Sequence, residues 1–424
     1  MPMSIDIFAQ YESEVRSYCR AFPVVFNKAK GAELFDEEGK RYIDFFAGAG
    51  SLNYGHNPDF IKEKLIAYLQ ADQIIHGLDM ATTAKRTFLK SLNEEILSPR
   101  GLKYKTQFCG PTGTNSVEAA LKIARKVTGR TGVFAFQGGF HGMTLGALSA
   151  TGNQYNRKAA GVPLPHVNFM PFPHGFGLQF DTIDYIESVL LDSSSGIEKP
   201  AAVLLETVQA EGGVIVAPVE WLQRLRALCD KHEILMVVDD IQVGCGRTGT
   251  FFSFERANIV PDIITLSKSI SGYGLPSAVV LIKPEFDQWA PGEHNGTFRG
   301  HQLGFVGGAA AISLWQNDNF SKKVESSSSF IKEFIEREIL PINSQLSLRG
   351  IGMIWGIDCS FCRDLSLVDT MLEDCFKRGL VIENAGRKGQ VVKILPPLNI
   401  DRTLLEEGLV ILKAGFEKYF GDLS

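Results

Sequence analysis

The chain has 424 residues, enough for two domains around a large core, and its 45% hydrophobic and 21% charged content is that of an ordinary soluble globular protein. A net charge of -5 offers no electrostatic footprint for nucleic acid or an anionic membrane, and no apolar run reaches the roughly 18 residues of a membrane span. Seven cysteines, an odd number, suit a reducing compartment, and the N-terminus shows no basic segment ahead of an apolar one, so a cytoplasmic location is expected.

In chain order, residues 31–46 (GAELFDEEGKRYIDFF) predict a hairpin around Glu38-Gly39. Residues 133–136 predict a strand. The run 201–205 predicts another, and 219–232 a helix with Trp221, Leu222, Leu225, Leu228 and Cys229 on one face after Pro218. Strands follow at 234–238, 262–266 and 278–282. Beyond 312 a long helical stretch precedes strands near 351–357 and 391–395 and a terminal helix near 402–419. The strand–helix rhythm predicts an α/β fold with a mainly parallel central sheet in a large domain of residues 54–311. Residues 1–53 and 312–424 are expected to build a smaller α+β domain from both chain ends.

Chemistry is sought where such a sheet binds ligands, at the carboxyl ends of its strands. Gly110-Pro111-Thr112-Gly113-Thr114-Asn115-Ser116 opens a helix carrying Val117, Ala120, Leu121 and Ala124 on one face. It reads either as a plain N-cap using Asn115 or Ser116, or as a phosphate seat of free N–H groups. Phe140, in Gly138-Gly139-Phe140-His141-Gly142, is either a core aromatic or the face over a ring that approaches closely between glycines. Glu206, Asp239 and Lys268 each follow a strand; singly they read as solvated loop charges, together as one crevice with two acids and a lysine.

The stretch DDIQVGCGRTG (239–249) contains a formal G-x-G-x-x-G, but five residues separate the strand from its first glycine and no amphipathic helix follows, which argues against a dinucleotide turn. No metal is expected either: H-E-x-x-H and P-loop patterns are absent, and Cys359-x-x-Cys362 stands without a second pair. A phosphate seat, a carboxylate and a lysine in one crevice suggest pyridoxal phosphate (PLP), whose aldehyde needs a lysine and whose pyridine nitrogen needs an acid to remain protonated.

The order Asp239-Asp240-Ile241-Gln242, Gly244-x-Gly246-Arg247-Thr248-Gly249 and Leu266-Ser267-Lys268 resembles the class III aminotransferases, PLP enzymes of fold type I. The likeness runs from Gly31–Gly55 to Leu395-Pro396-Pro397-Leu398. It implies that Lys268 forms the Schiff base with the cofactor and shuttles the proton, and that Asp239 pairs with the pyridinium. Gln242 would bond the ring 3-hydroxyl, Phe140 would stack on the ring with His141 beside it, and Gly113 and Thr114 would bind phosphate. Thr297 would reach the phosphate of a neighbouring subunit, which implies a homodimer or higher homo-oligomer with shared sites. Arg247 and the glycines around it become packing.

For substrates, Glu206-Thr207-Val208-Gln209-Ala210-Glu211-Gly212-Gly213 is similar to a segment of the ω-aminotransferases. There the second glutamate, here Glu211, pairs with an arginine and releases it to a substrate carboxylate. Lys393 occupies the arginine position, and a lysine lacks the planar two-point fork. Residues 11–18, 46–56 and 76–79 are similar to the branch that opens ectoine biosynthesis. The implied reaction is L-glutamate plus L-aspartate 4-semialdehyde giving 2-oxoglutarate and L-2,4-diaminobutyrate, in two ping-pong halves through pyridoxamine phosphate. The alternatives are an ornithine or 4-aminobutyrate aminotransferase, or a PLP-dependent isomerase or decarboxylase. The expected partners are small amino and keto acids, with no nucleic acid and no membrane.

Overall fold

The structure, a computed structural model, describes residues 6–173 and 180–421. Its centre is a seven-stranded sheet of β1 (Lys105–Phe108), β2 (Val133–Phe136), β3 (Val167–Met170), β4 (Ala202–Leu205), β5 (Leu235–Asp239), β6 (Ile263–Leu266) and β7 (Val279–Ile282), in the spatial order β1-β7-β6-β5-β4-β2-β3. The β6–β5, β5–β4, β4–β2 and β2–β3 contacts are parallel.

The strand expected at 278–282 departs from that pattern. As β7 it runs antiparallel to both β6 and β1. Only one 3-10 turn, Lys268–Ser271, lies between β6 and β7, and a parallel return needs a full crossover element.

Every residue of β2, β4, β5, β6 and β7 is buried, because helices cover both faces. Side chains alternate between the two layers, as a strand requires. Leu204, Val237 and Ile263 pack with Val117, Leu121 and Ala124 of helix α1 (Gly113–Thr128). Leu205, Val238 and Ile264 pack with Leu222 and Leu225 of α2 (Val219–Lys231).

Both chain ends meet in a second core. The expected hairpin forms between Glu33–Asp36 and Arg41–Asp44, flanked by Phe26–Lys30. Leu380–Val381 joins its edge in parallel, so distant chain segments share one small sheet. A four-stranded antiparallel sheet holds Ser347–Ile351, Ile354–Asp358, Val391–Ile394 and Glu383–Ala385. Where the sequence predicts one strand at 351–357, two strands fold back around Gly352, at φ +58°. Ile43, Phe45, Val324, Ile331, Ile394, Leu409 and Phe416 pack together in this region. The last two lie on the terminal helix Arg402–Phe420, whose cap Asp401 accepts the Thr403 N–H.

The glycine-rich run after β5 opens no helix. Gly246 has φ +96°, and a Cβ there would come within 2.3 Å of the Trp315 ring, so the glycine is needed for packing. Arg247 is fully buried and donates to the carbonyls of Met353 and Pro396 and, at 2.7 Å, to Asn53 Oδ1. The turn thereby ties the large sheet to both chain ends.

Candidate active site

A cavity of about 290 Å³ opens at the carboxyl ends of β4, β5 and β6, within the small end of the range for small-molecule sites. Gly113, Thr114, Phe140, His141, Glu206, Glu211, Asp239, Gln242 and Lys268 all line it. The three strand-end charges therefore do converge. Asp239 is the final residue of β5 rather than the residue after it, and alternation decides which of the adjacent acids faces inward. Asp240 points the other way and accepts the Ser253 N–H.

Asp239 is held from two sides. Its Oδ1 accepts the Ile241 N–H at 3.2 Å and the Thr265 hydroxyl at 3.3 Å, while Oδ2 lies 2.7 Å from His141 Nδ1. Burial works against a charge on His141, and the Asp239 carboxylate outweighs it, so the imidazole pKa is raised.

Lys268 sits at φ +51°, a conformation L-residues with long side chains seldom adopt, at the start of the 3-10 turn. Its Nζ donates to the Ala49 carbonyl at 2.7 Å. Burial pushes the ammonium down to about 8, against the attraction of Glu211.

The start of α1 supplies the anion seat. Its N-cap residue, Thr112, makes no side-chain cap bond, so neither Asn115 nor Ser116 serves as the cap. The N–H groups of Gly113 and Thr114 meet no acceptor among the described residues, and the helix dipole adds positive potential there. A Cβ on Gly113 would press on Ile241 at 3.1 Å. Gln242 spends both contacts of its amide nitrogen, on the Ala49 carbonyl at 3.0 Å and on Glu211 at 3.1 Å. Its Oε1 is buried with no partner, free to accept an O–H.

Glu211 and Lys393 are paired, with Nζ 2.7 Å from Glu211 Oε1. The sequence does not disclose the third member: Glu383 lies 2.8 Å from the same Nζ. Glu383 stands directly opposite Lys393 in the antiparallel register, a relation that only the folded hairpin of 383–394 creates. Burial opposes a charge on Lys393, and the two carboxylates overcome it and raise its pKa. The Ala49 carbonyl, which meets both Lys268 and Gln242, likewise has no signature in the sequence.

Two expected site residues do not line the cavity: Lys393 is fully buried and meets it only through its partner Glu211, and Thr297 makes no such link. Thr297 lies on an exposed segment. Among the described residues, no three His, Cys, Asp or Glu side chains converge on a metal position, and no helix is long and apolar enough to cross a membrane.

These residues fit PLP: a lysine amine, a buried carboxylate, two open N–H groups at a helix start and an unpaired amide oxygen surround one cavity. The family model described as aminotransferase class-III matches residues 16–416. The chain belongs to the class-III aminotransferases.

Among members of this aminotransferase family, a diaminobutyrate–2-oxoglutarate transaminase of Halalkalibacterium halodurans is 51% identical over 96% of this chain and 95% of its own. One of Nocardia farcinica is 53% identical over 97% of this chain and 94% of its own. A solved taurine:2-oxoglutarate aminotransferase of Bifidobacterium kashiwanohense, in complex with PLP and glutamate, superposes with a TM-score of 0.84 at 24% identity. That superposition covers 95% of this chain and 94% of the other, and places this class-III aminotransferase in fold type I.

Proposed function

We propose that this class-III aminotransferase is PLP-dependent and transfers an amino group from L-glutamate to L-aspartate 4-semialdehyde, giving 2-oxoglutarate and L-2,4-diaminobutyrate in two half-reactions. This is the entry step of ectoine biosynthesis. The observation that carries the substrate assignment is identity of 51% and 53%, over nearly the whole chain, with transaminases named for diaminobutyrate and 2-oxoglutarate.

Bound PLP supplies an electron sink that acidifies the substrate carbon bearing the amine. The chain's own residues do the rest. Lys268 would hold the aldehyde carbon and carry the proton that leaves and returns at the substrate carbon, a role its lowered pKa favours. Asp239 would keep the proton on the pyridine nitrogen, and Gln242 Oε1 would accept from the ring hydroxyl. Phe140 would cover the ring face, with His141 behind Asp239. Gly113 and Thr114 would donate their N–H groups to phosphate. Glu211 and Lys393 would receive the substrate: when Glu211 moves aside, Lys393 offers its charge to a carboxylate while Glu383 remains as its counter-ion.

Thr297 would complete the phosphate site of a second copy, making the homodimer the functional unit. The two cores would correspond to a large domain of 54–311 and a small one of 1–53 with 312–424. The enzyme would work in the cytoplasm, where seven unpaired cysteines stay reduced.

Turnover of diaminobutyrate, ornithine and 4-aminobutyrate, each with 2-oxoglutarate, tests the assignment. Diaminobutyrate should lead in kcat/KM; a lead for either other amine would replace the substrate, and failure to form glutamate from 2-oxoglutarate would favour an isomerase or decarboxylase. Lys268→Ala should abolish turnover while only weakening PLP binding.

A further inference from the structure

Four consecutive residues next to Lys268 run against the usual hand of the backbone. Ala47, Gly48, Ala49 and Gly50 have φ of +47°, +57°, +54° and +84°. They form one left-handed turn, from which the Ser51 N–H returns to the Gly48 carbonyl and the Leu52 N–H to that of Ala47. Glycine accepts this region, but the Cβ of an alanine is strained there, so two of the four positions need support from outside the turn. Asp44, the last residue of the strand Arg41–Asp44, supplies it and is only 1% exposed. Its Oδ1 accepts the N–H groups of Phe46 at 2.8 Å and Ala47 at 2.7 Å, and its Oδ2 lies 2.7 Å from His56 Nε2. The far end of the turn meets the lysine. The Ala49 carbonyl accepts from Lys268 Nζ and Gln242 Nε2, and the Gly50 carbonyl accepts the Ser269 hydroxyl at 2.7 Å.

We propose that Asp44, steadied by His56, is a positioning residue for Lys268 and Gln242, acting through the left-handed turn it caps and the Ala49 carbonyl that turn presents. This role presupposes that the cavity is the PLP site. A backbone carbonyl has no side chain to aim it, so its place is set by the torsions around it. Asp44 fixes those torsions by taking the two N–H groups that open the turn. Two consequences reach the cavity. With the Gln242 amide nitrogen committed to Ala49 and Glu211, Oε1 is the end of that side chain left to accept an O–H. Nζ is held at one point, and a hydrogen bond from an ammonium is the stronger one, so the carbonyl favours the protonated amine.

The test compares wild type with Asp44→Ala and Asp44→Asn in the cofactor-free protein. Trace acetylation with acetic anhydride over a range of pH, read at residue 268 by peptide mass spectrometry, gives the midpoint at which the amine becomes reactive. In wild type it should lie near about 8. The charged groups facing Nζ are Glu211, Lys393, Glu383 and Asp239, and none of them is altered. Asp44→Ala frees the turn and withdraws the Ala49 carbonyl, so the midpoint should fall below that of wild type. A general loosening would instead admit water and raise it toward the 10.5 of an ordinary lysine. Asp44→Asn removes the same charge but keeps an oxygen for both N–H groups and a donor for His56, and should restore the wild-type midpoint. Affinity for added PLP should drop roughly tenfold in Asp44→Ala and stay within about threefold of wild type in Asp44→Asn.

An unmoved or raised midpoint in Asp44→Ala would overturn the proposal. An asparagine variant that behaves like the alanine one would do the same, by tracing the shift to lost charge. If Asp44→Ala does not fold, His56→Leu takes its place, since it unpairs Oδ2 without touching the turn. Its midpoint should also fall, and an unchanged one would count against the clamp. Acetylation needs no cofactor, so a wild type that fails to bind PLP sinks the functional reading and leaves the Asp44 test standing.

Discussion

At the scale of single residues the site is governed by buried charge. Lys268 is held in a left-handed backbone conformation and directed at the Ala49 carbonyl, and burial lowers its pKa from 10.5 to about 8. In the cofactor-free protein the unfolded chain then binds the proton more tightly than the folded one between about 8 and 10.5, so stability rises with pH across that window. Below about 8 the full cost of burying the ammonium is present. Lys268→Met should therefore raise the thermal midpoint of the cofactor-free enzyme by a few degrees at neutral pH, and by less near the upper end of the window, as read by calorimetry. An equal gain at both ends would refute the burial account. Lys393 behaves oppositely because two carboxylates surround it. Lys393→Met leaves Glu211 and Glu383 facing each other, and should lower stability by about 3–5 kcal/mol. Its KM for glutamate should rise at least about tenfold while PLP affinity is retained, since the change spares every cofactor contact.

At the scale of elements, the turn after β5 binds the molecule together through Arg247, whose guanidinium reaches Asn53, Met353 and Pro396 and pairs with no carboxylate among the described residues. Burial lowers its pKa to about 9, with Asp44 opposing at a distance, so the charge is maintained by hydrogen bonds to polar oxygens. Arg247→Ala strands those acceptors in the interior, and should cost about 3 kcal/mol or more and shift the denaturation midpoint without altering which amines are used. Such turns show how far the sequence carries. The buried strands β4, β5 and β6 and helix α2 were legible because their apolar runs and periodicity are local. The residues at their ends, Glu206, Asp239 and Lys268, were legible for the same reason. The direction of β7 was not, because it depends on what intervenes before it. Glu383 was hidden too, since its pairing with Lys393 exists only in the register of a distal hairpin. The Ala49 carbonyl carries no side-chain signature at all.

At the scale of the whole molecule, the proposed homodimer requires a surface for its subunits to share. Ile74, Ile75, Leu78 and Met80 are each between 45% and 55% exposed, and Phe298 is 64% exposed. The rings of His76 and Phe298 meet edge-on at 5.2 Å, so these segments form one apolar patch. A lone soluble chain seldom leaves large apolar side chains grouped in this way, whereas a subunit interface buries them. Thr297 is exposed, precedes Phe298 in the chain and lies outside its own cavity. If the patch is the contact and Thr297 serves a neighbour's phosphate, association and cofactor retention are one property. Phe298→Glu should then convert the proposed dimer to monomer in sedimentation analysis and lose PLP together with its partner. Thr297→Ala should stay dimeric and bind PLP roughly tenfold less tightly, the worth of one hydrogen bond to a charged group. A monomer of Phe298→Glu that holds PLP as firmly as wild type would separate the two properties and show that each chain builds its phosphate site alone.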